Sequence, residues 1–106
     1  MSADKERYDM QAEFCKAMAH PVRLEIIDRL KSGDATVGIL AAAIGVTQAN
    51  LSQHLAVLRM RGVVRAMRNG NEVLYSLANR KIVEACGLVR EILAEEAGRA
   101  QAIIVP

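Results

Sequence analysis

Apolar residues recur along this chain with two different periods, and the change of period divides it. Over residues 5–19, Met10, Phe14 and Met18 fall at i, i+4 and i+8, while Tyr8, Ala12, Cys15 and Ala19 fall at i, i+4, i+7 and i+11. Both sets fit a helix, on two faces rather than one, so this first helix needs two partners. His20-Pro21 ends it, because the residue before a proline is pushed out of the α region, and Pro21 suits the first position of a second helix. That helix runs to about Lys31 on Val22, Leu24, Ile26, Ile27 and Leu30, and Ser32-Gly33 stops it. A third opens with Thr36 as N-cap, buries Leu40 and Ile44, and ends at Gly45, where a left-handed backbone carries no Cβ penalty. The fourth opens at Thr47, another N-cap, and carries Leu51, Leu55 and Leu58 on one side.

After Gly62 the period falls to two. Residues 63–68 (VVRAMR) and 72–77 (EVLYSL) read as strands, and Asn69-Gly70 between them is a strong signal for a tight hairpin turn. A last helix, about 79–97, again has two apolar stripes: Ile82, Cys86, Val89 and Leu93, and Ala85, Leu88 and Ile92. Residues 101–106 (QAIIVP) form an apolar tail with no assigned place.

This order predicts an α+β, mostly helical fold. Two helices joined by the three-residue turn Gly45-Val46-Thr47 and followed at once by a hairpin make a winged helix-turn-helix. With 106 residues there is length for one hydrophobic core, so residues 1–106 are expected to form a single domain. That core is aliphatic: 52% of the chain is apolar but only three residues are aromatic. No apolar stretch approaches the roughly eighteen residues needed to span a bilayer, and the charged N-terminal segment lacks an apolar leader core, so a cytoplasmic protein is expected, with no membrane partner.

Net charge is only +2, but its distribution matters. From Ala35 to Asn71 there is no Asp or Glu, while Arg59, Arg61, Arg65 and Arg68 all fall there, leaving ten basic residues against twelve acidic ones elsewhere. A basic zone inside an otherwise acidic chain predicts a local polyanion site. In a winged helix the second helix of the helix-turn-helix enters the major groove of double-stranded DNA by its N-terminal residues. The line Leu51-Leu55-Leu58 anchors that helix, which turns Ala49, Ser52 and Gln53 outward, with Thr47, Gln48 and Asn50 at the leading end and His54 on the flank. Gln and Asn read adenine bidentately, Ser pairs with bases or phosphate, and Ala meets a thymine methyl. Arg65 and Arg68 on the first strand, with Asn69 and Asn71 at the tip, make a wing for phosphate or minor-groove contact. The blander alternatives are that the acid-free stretch is core and that Arg59 and Arg61 complement a helix dipole.

The segments "FCKAMAHPVRLEIIDRL" and "VTQANLSQHLAVLRMRGVVRAMRNGNEVLYSL" resemble the ArsR-type (ArsR/SmtB) family of bacterial and archaeal repressors, over roughly residues 8–97. The resemblance rests on A-x-x-H-P-x-R-L-x-I at 17–26, S-Q-H-L-x-x-L-R at 52–59 and GNEVLYSL at 70–77. It implies a homodimer through the first and last helices, a roughly palindromic operator, and an inducer that releases the DNA. Metal-sensing members carry a cysteine pair in the third helix, where this chain has Val37–Ala42, or Asp and His ligands along the last helix, where residues 79–97 contain no histidine. No metal site and no cofactor is therefore expected.

Two cysteines remain. Cys15 on the first helix and Cys86 on the last could form a dithiol switch answering an oxidant, reactive sulfur or a soft metalloid, or they could simply fill apolar stripes, since free cysteine is among the most buried residue types. Sulfide-responsive members of the family carry their thiols near the positions of Asp28 and Ala94, so that pattern does not carry over. His20 reads as a helix-boundary residue, and Met10, Met18, Met60 and Met67 as gap-fillers. No nucleophile, base and acid set occurs, so an enzyme is not expected. The expected function is a dimeric repressor, with a metalloid-responsive repressor or a winged-helix protein-interaction module without DNA binding as the alternatives.

Overall fold

The computed structural model describes residues 3–104, with side chains over residues 3–99. Its elements run α1 (Ala3–Met18), α2 (Pro21–Leu30), α3 (Val37–Ile44), α4 (Gln48–Met60), β1 (Val64–Asn69), β2 (Glu72–Leu77) and α5 (Lys81–Ile104). The helix starts follow local chemistry. His20 Nδ1 accepts from the Val22 N–H with Pro21 behind it, Thr36 Oγ1 accepts from the Ile39 N–H, and Thr47 Oγ1 accepts from the Asn50 N–H. Each satisfies a donor that a helix start leaves open. Between α3 and α4 the turn depends on Gly45, whose φ of 84° lies in the left-handed region.

One buried cluster holds these elements together. Ile26, Ile27 and Leu30 of α2, Leu40 and Ala41 of α3, Leu51, Leu55 and Leu58 of α4, Val63 and Val64 at the start of the hairpin, and Ile82 of α5 form its centre. Phe14 and Met18 of α1 and Cys86 of α5 pack on its edge. The sheet is antiparallel, pairing Val64 with Leu77 through to Asn69 with Glu72. A further bridge between Ala35 and Tyr75, with backbone bonds of 3.1 and 2.8 Å, ties β2 to the segment before α3.

Three expectations shift. Because Asn69 pairs with Glu72, the loop is Gly70-Asn71 rather than Asn69-Gly70. Gly70 takes the positive φ of 65° and no other residue type does, which is the glycine-first hairpin turn. The last helix continues past residue 97 through Ile104, so positions 101–104 of the apolar tail are helical, and 105–106 lie outside the described residues. On α1, only the Phe14-Met18 side is covered; Met10, Tyr8, Ala12, Cys15 and Ala19 are exposed, and the buried residue is Ala17, which belongs to neither stripe. Among the described residues no helix is long and apolar enough to cross a membrane.

Candidate nucleic-acid interface

The surface of α4 is sorted by its three leucines. Leu51, Leu55 and Leu58 are fully buried, which fixes the rotation of the helix about its axis. Opposite them Ala49, Gln53, Ala56 and Met60 form an exposed ridge, and Met60 is 79% exposed. One flank carries Ser52 and Arg59, which with Tyr75 of β2 line a groove between helix and hairpin. The other flank carries Asn50 and His54. At the leading end Thr47 and Gln48 are exposed, and the Gln48 amide lies against Gly38 of α3, 3.5 Å from where a Cβ would stand.

Not all of the expected site residues come together. His54 is half-buried, and its Nδ1 lies 3.3 Å from Nη1 of Arg23 on α2, so its ring is turned toward α2. Arg65 and Arg68 are three residues apart on a strand and therefore stand on opposite faces of the hairpin. Arg68 shares a face with Val64 and Ala66, whose partners are Leu77 and Tyr75. Arg65 lies on the other face and borders a groove with Phe14, Lys81 and Ile82. Asn69, Gly70 and Asn71 are exposed at the tip, where Glu72, opposite Asn69, brings the first carboxylate after Asp34. Of the four arginines in the acid-free stretch, Arg61 pairs with Glu13 of α1 at 3.1 Å, while Arg59, Arg65 and Arg68 have no carboxylate partner among the described residues.

Arg59, Met60 and Tyr75 enter this surface without having been singled out as contacts. Arg59 is offered by sequence as part of the basic zone or as a dipole partner and not as a named contact, although it lies about two helical turns from Ser52 on the same flank. Tyr75 could have been found by extending the hairpin register to Ala66. Chemically, the ridge and its flanks offer amide and hydroxyl groups, a methyl, and unpaired guanidinium groups, and no carboxylate stands on α4. These are the groups that hydrogen-bond base edges and phosphate in protein–DNA interfaces.

The two cysteines lie on a different side. Both line an apolar cavity of about 460 Å³ between α1, α2 and α5, together with Met18, Leu24, Val89 and Leu93. Asp28 of α2 and Arg90 of α5 pair at 3.5 Å on its wall. Cys15 is exposed and Cys86 half-buried, and both are free thiols. Burial pushes the Cys86 thiol up, Arg90 partly offsets this, and the nearby Cys15 adds to it.

Helix, left-handed glycine turn, helix and hairpin, with an acid-free polar face on the second helix, define a winged helix-turn-helix domain. A sequence profile described as bacterial regulatory protein, arsR family, matches residues 20–66. An HTH-type transcriptional regulator of Mycobacterium tuberculosis is 44% identical over 88 residues, which are 82% of this chain and 77% of that protein. The biofilm growth-associated repressor of Xylella fastidiosa is 38% identical over 80 residues, 76% of this chain and 70% of that one. Among solved structures, the homodimeric winged helix-turn-helix DNA-binding domain of a Mycobacterium bovis protein matches with a TM-score of 0.82 at 30% identity, covering 93% of each chain. The chain belongs to the arsR family. It is a DNA-binding transcriptional regulator, as its relatives are, and not an enzyme.

Proposed function

We propose that this chain is a homodimeric repressor that binds a roughly palindromic operator and releases it when a thiol-reactive signal acts at Cys15 and Cys86. Residues 47–61 enter the major groove and the hairpin of residues 63–77 lies on the neighbouring backbone or minor groove. In this reading Gln53, Ala49 and Asn50 meet base edges, Thr47, Gln48 and Ser52 meet bases or phosphate, and Arg68, Asn69 and Asn71 meet phosphate. Arg65, on the opposite face of the hairpin, borders a groove with Arg59 at the end of α4. The observation that carries the reading is the α4 surface: three fully buried leucines turn Ala49 and Gln53 outward on a helix without a single acid.

Dimerisation is supported by apolar residues that one protomer leaves open. On α5, Leu88, Val89, Ile92 and Leu93 are 54–63% exposed, and on α1 Tyr8 and Met10 are exposed as well. The related Mycobacterium bovis domain is homodimeric, and the related Xylella fastidiosa protein is a repressor. Thiol sensing is supported by the shared cavity of Cys15 and Cys86 beside this same surface. An oxidant would take two electrons and two protons from the thiols and leave a disulfide, drawing α1 toward α5.

The test is to enrich duplexes from a random pool with reduced protein, then titrate the best one before and after oxidant or polysulfide, alongside Cys15→Ser. A two-fold symmetric consensus is expected, with affinity falling about tenfold on treatment, roughly 1.4 kcal/mol, in wild type only. A pool that yields no enriched sequence would remove the DNA reading. Equal binding before and after treatment would return both cysteines to a packing role.

A further inference from the structure

On the flank of α4 that faces α2, His54 has surroundings unlike those of its neighbours Ser52 and Gln53. Its Nδ1 stands 3.3 Å from Arg23 Nη1, and its ring lies 4.4 Å from that of His20 between centroids, tilted by 43°. His20 is itself engaged, its Nδ1 accepting from the Val22 N–H at 3.1 Å. A guanidinium can only donate, so in both rings Nδ1 is an acceptor and the proton sits on Nε2. This arrangement needs both Nδ1 atoms unprotonated. A proton on His54 Nδ1 would turn the Arg23 contact into a repulsion, and one on His20 Nδ1 would remove the cap of α2. Arg23 Nε is buried with no hydrogen-bond partner among the described residues, so the guanidinium is held there at a cost, with His54 as its polar contact.

We propose that Arg23 and His20 clamp the DNA-reading helix through His54, that His54 is a positioning residue rather than a DNA contact, and that operator affinity falls as His54 takes up a proton. The inference rests on the reading of α4 as the groove-entering helix. Burial first, then His20, then Arg23 hold the His54 imidazole below the ordinary histidine range, as a ring that must stay neutral requires. The sign follows: folded protein binds this proton more weakly than the unfolded chain, so stability is full above the ordinary value of 6.5 and is lost as pH falls below it. The charged groups on the other elements against α4 do not oppose this. Glu13 of α1 is paired with Arg61 at the far end of the helix, α3 has no ionisable side chain, and β1 brings only Arg65 and Arg68.

A histidine that touched phosphate would behave in the opposite way, binding DNA more tightly as it gained charge. The experiment is therefore a pH series at constant ionic strength, using the duplex enriched by wild-type protein. Wild type is expected to weaken on the order of fivefold between about pH 7.5 and 5.5. In His54→Asn the Oδ1 stands where Nδ1 was and takes no proton, so binding at pH 7.5 should stay within about twofold of wild type and the pH profile should be flat. Affinity that rises toward acid pH, or His54→Asn with the wild-type profile, would overturn the proposal. An NMR titration of the imidazoles in free protein adds a readout that needs no DNA. Arg23→Gln should raise the His54 midpoint, and an unmoved midpoint means there is no clamp. A pool without enriched sequences would count against the DNA reading alone, with the titration still deciding on the clamp.

Discussion

The apolar faces of α4 and α5 end differently. On α4 every large residue of the apolar line is sealed within the protomer, with Leu51, Leu55 and Leu58 at or near zero exposure. On α5 the line starts in the core at Ile82, reaches its edge at Cys86, and then runs out into the open through Leu88, Val89, Ile92 and Leu93. The polar face of α4 is thus free because its apolar face is finished, whereas the surface that α5 exposes is apolar and unfinished. In the proposed reading a folded protomer is complete as a reading head and takes a second copy on α5, so mutations on the two helices should fail in different ways.

The largest effect is expected on the closed face. Leu55→Ala should cost about 2 to 5 kcal/mol in urea unfolding, by lost burial and by the cavity left in a packed centre. Leu93→Asp should instead leave the stability of a dilute protomer near that of wild type while weakening self-association by tenfold or more, about 1.4 kcal/mol, as read by sedimentation. Equal losses in both variants at every protein concentration would erase the contrast between the helices.

On the open polar face, Gln53→Ala should lose about 1 to 3 kcal/mol on the enriched duplex and almost nothing on a scrambled one. A uniform loss on both would make Gln53 a backbone contact. The wing sharpens this further. Arg68→Ala should flatten the log-log salt slope by about 0.9 per protomer, and Arg65→Ala should leave it alone, because their side chains leave the hairpin from opposite faces. Smallest is the behaviour of Cys86. Burial keeps its thiol protonated in the folded chain, so alkylation of Cys86 in Cys15→Ser should be slow at neutral pH and should speed up only above the ordinary cysteine value of 9.0. The same sign makes its contribution to stability fade as pH rises past that value.

Much of the fold was legible because it is written in local chemistry. Thr36, Thr47 and Gly45 announce their helix ends within three residues, and the Leu51-Leu55-Leu58 line orients α4 without reference to anything else. The strands are legible from their period, and the same period of two sends Arg65 and Arg68 to opposite faces. The full length of α5 was hidden because after Leu93 the helical period is carried only by Ala97 and Ala100, beside Gly98, until Ile104. The contact between His20 and His54 joins residues 34 positions apart, which no local pattern encodes. The cavity shared by Cys15 and Cys86 likewise depends on α2 standing between two helices that the sequence treats as direct partners.

That position of α2 has a mechanical consequence. Its N-terminal end meets α4 through His20 and Arg23, and its C-terminal half meets α5 through the Asp28–Arg90 pair, while just past its end the Lys31 carbonyl accepts from Arg80, the residue before α5, at 2.9 Å. The ten residues between form a stiff rod roughly 15 Å long. Such a rod, with Ile26 and Ile27 buried at its middle, is a strut: it braces the face of α5 that the protomer leaves open against the helix that carries the polar face.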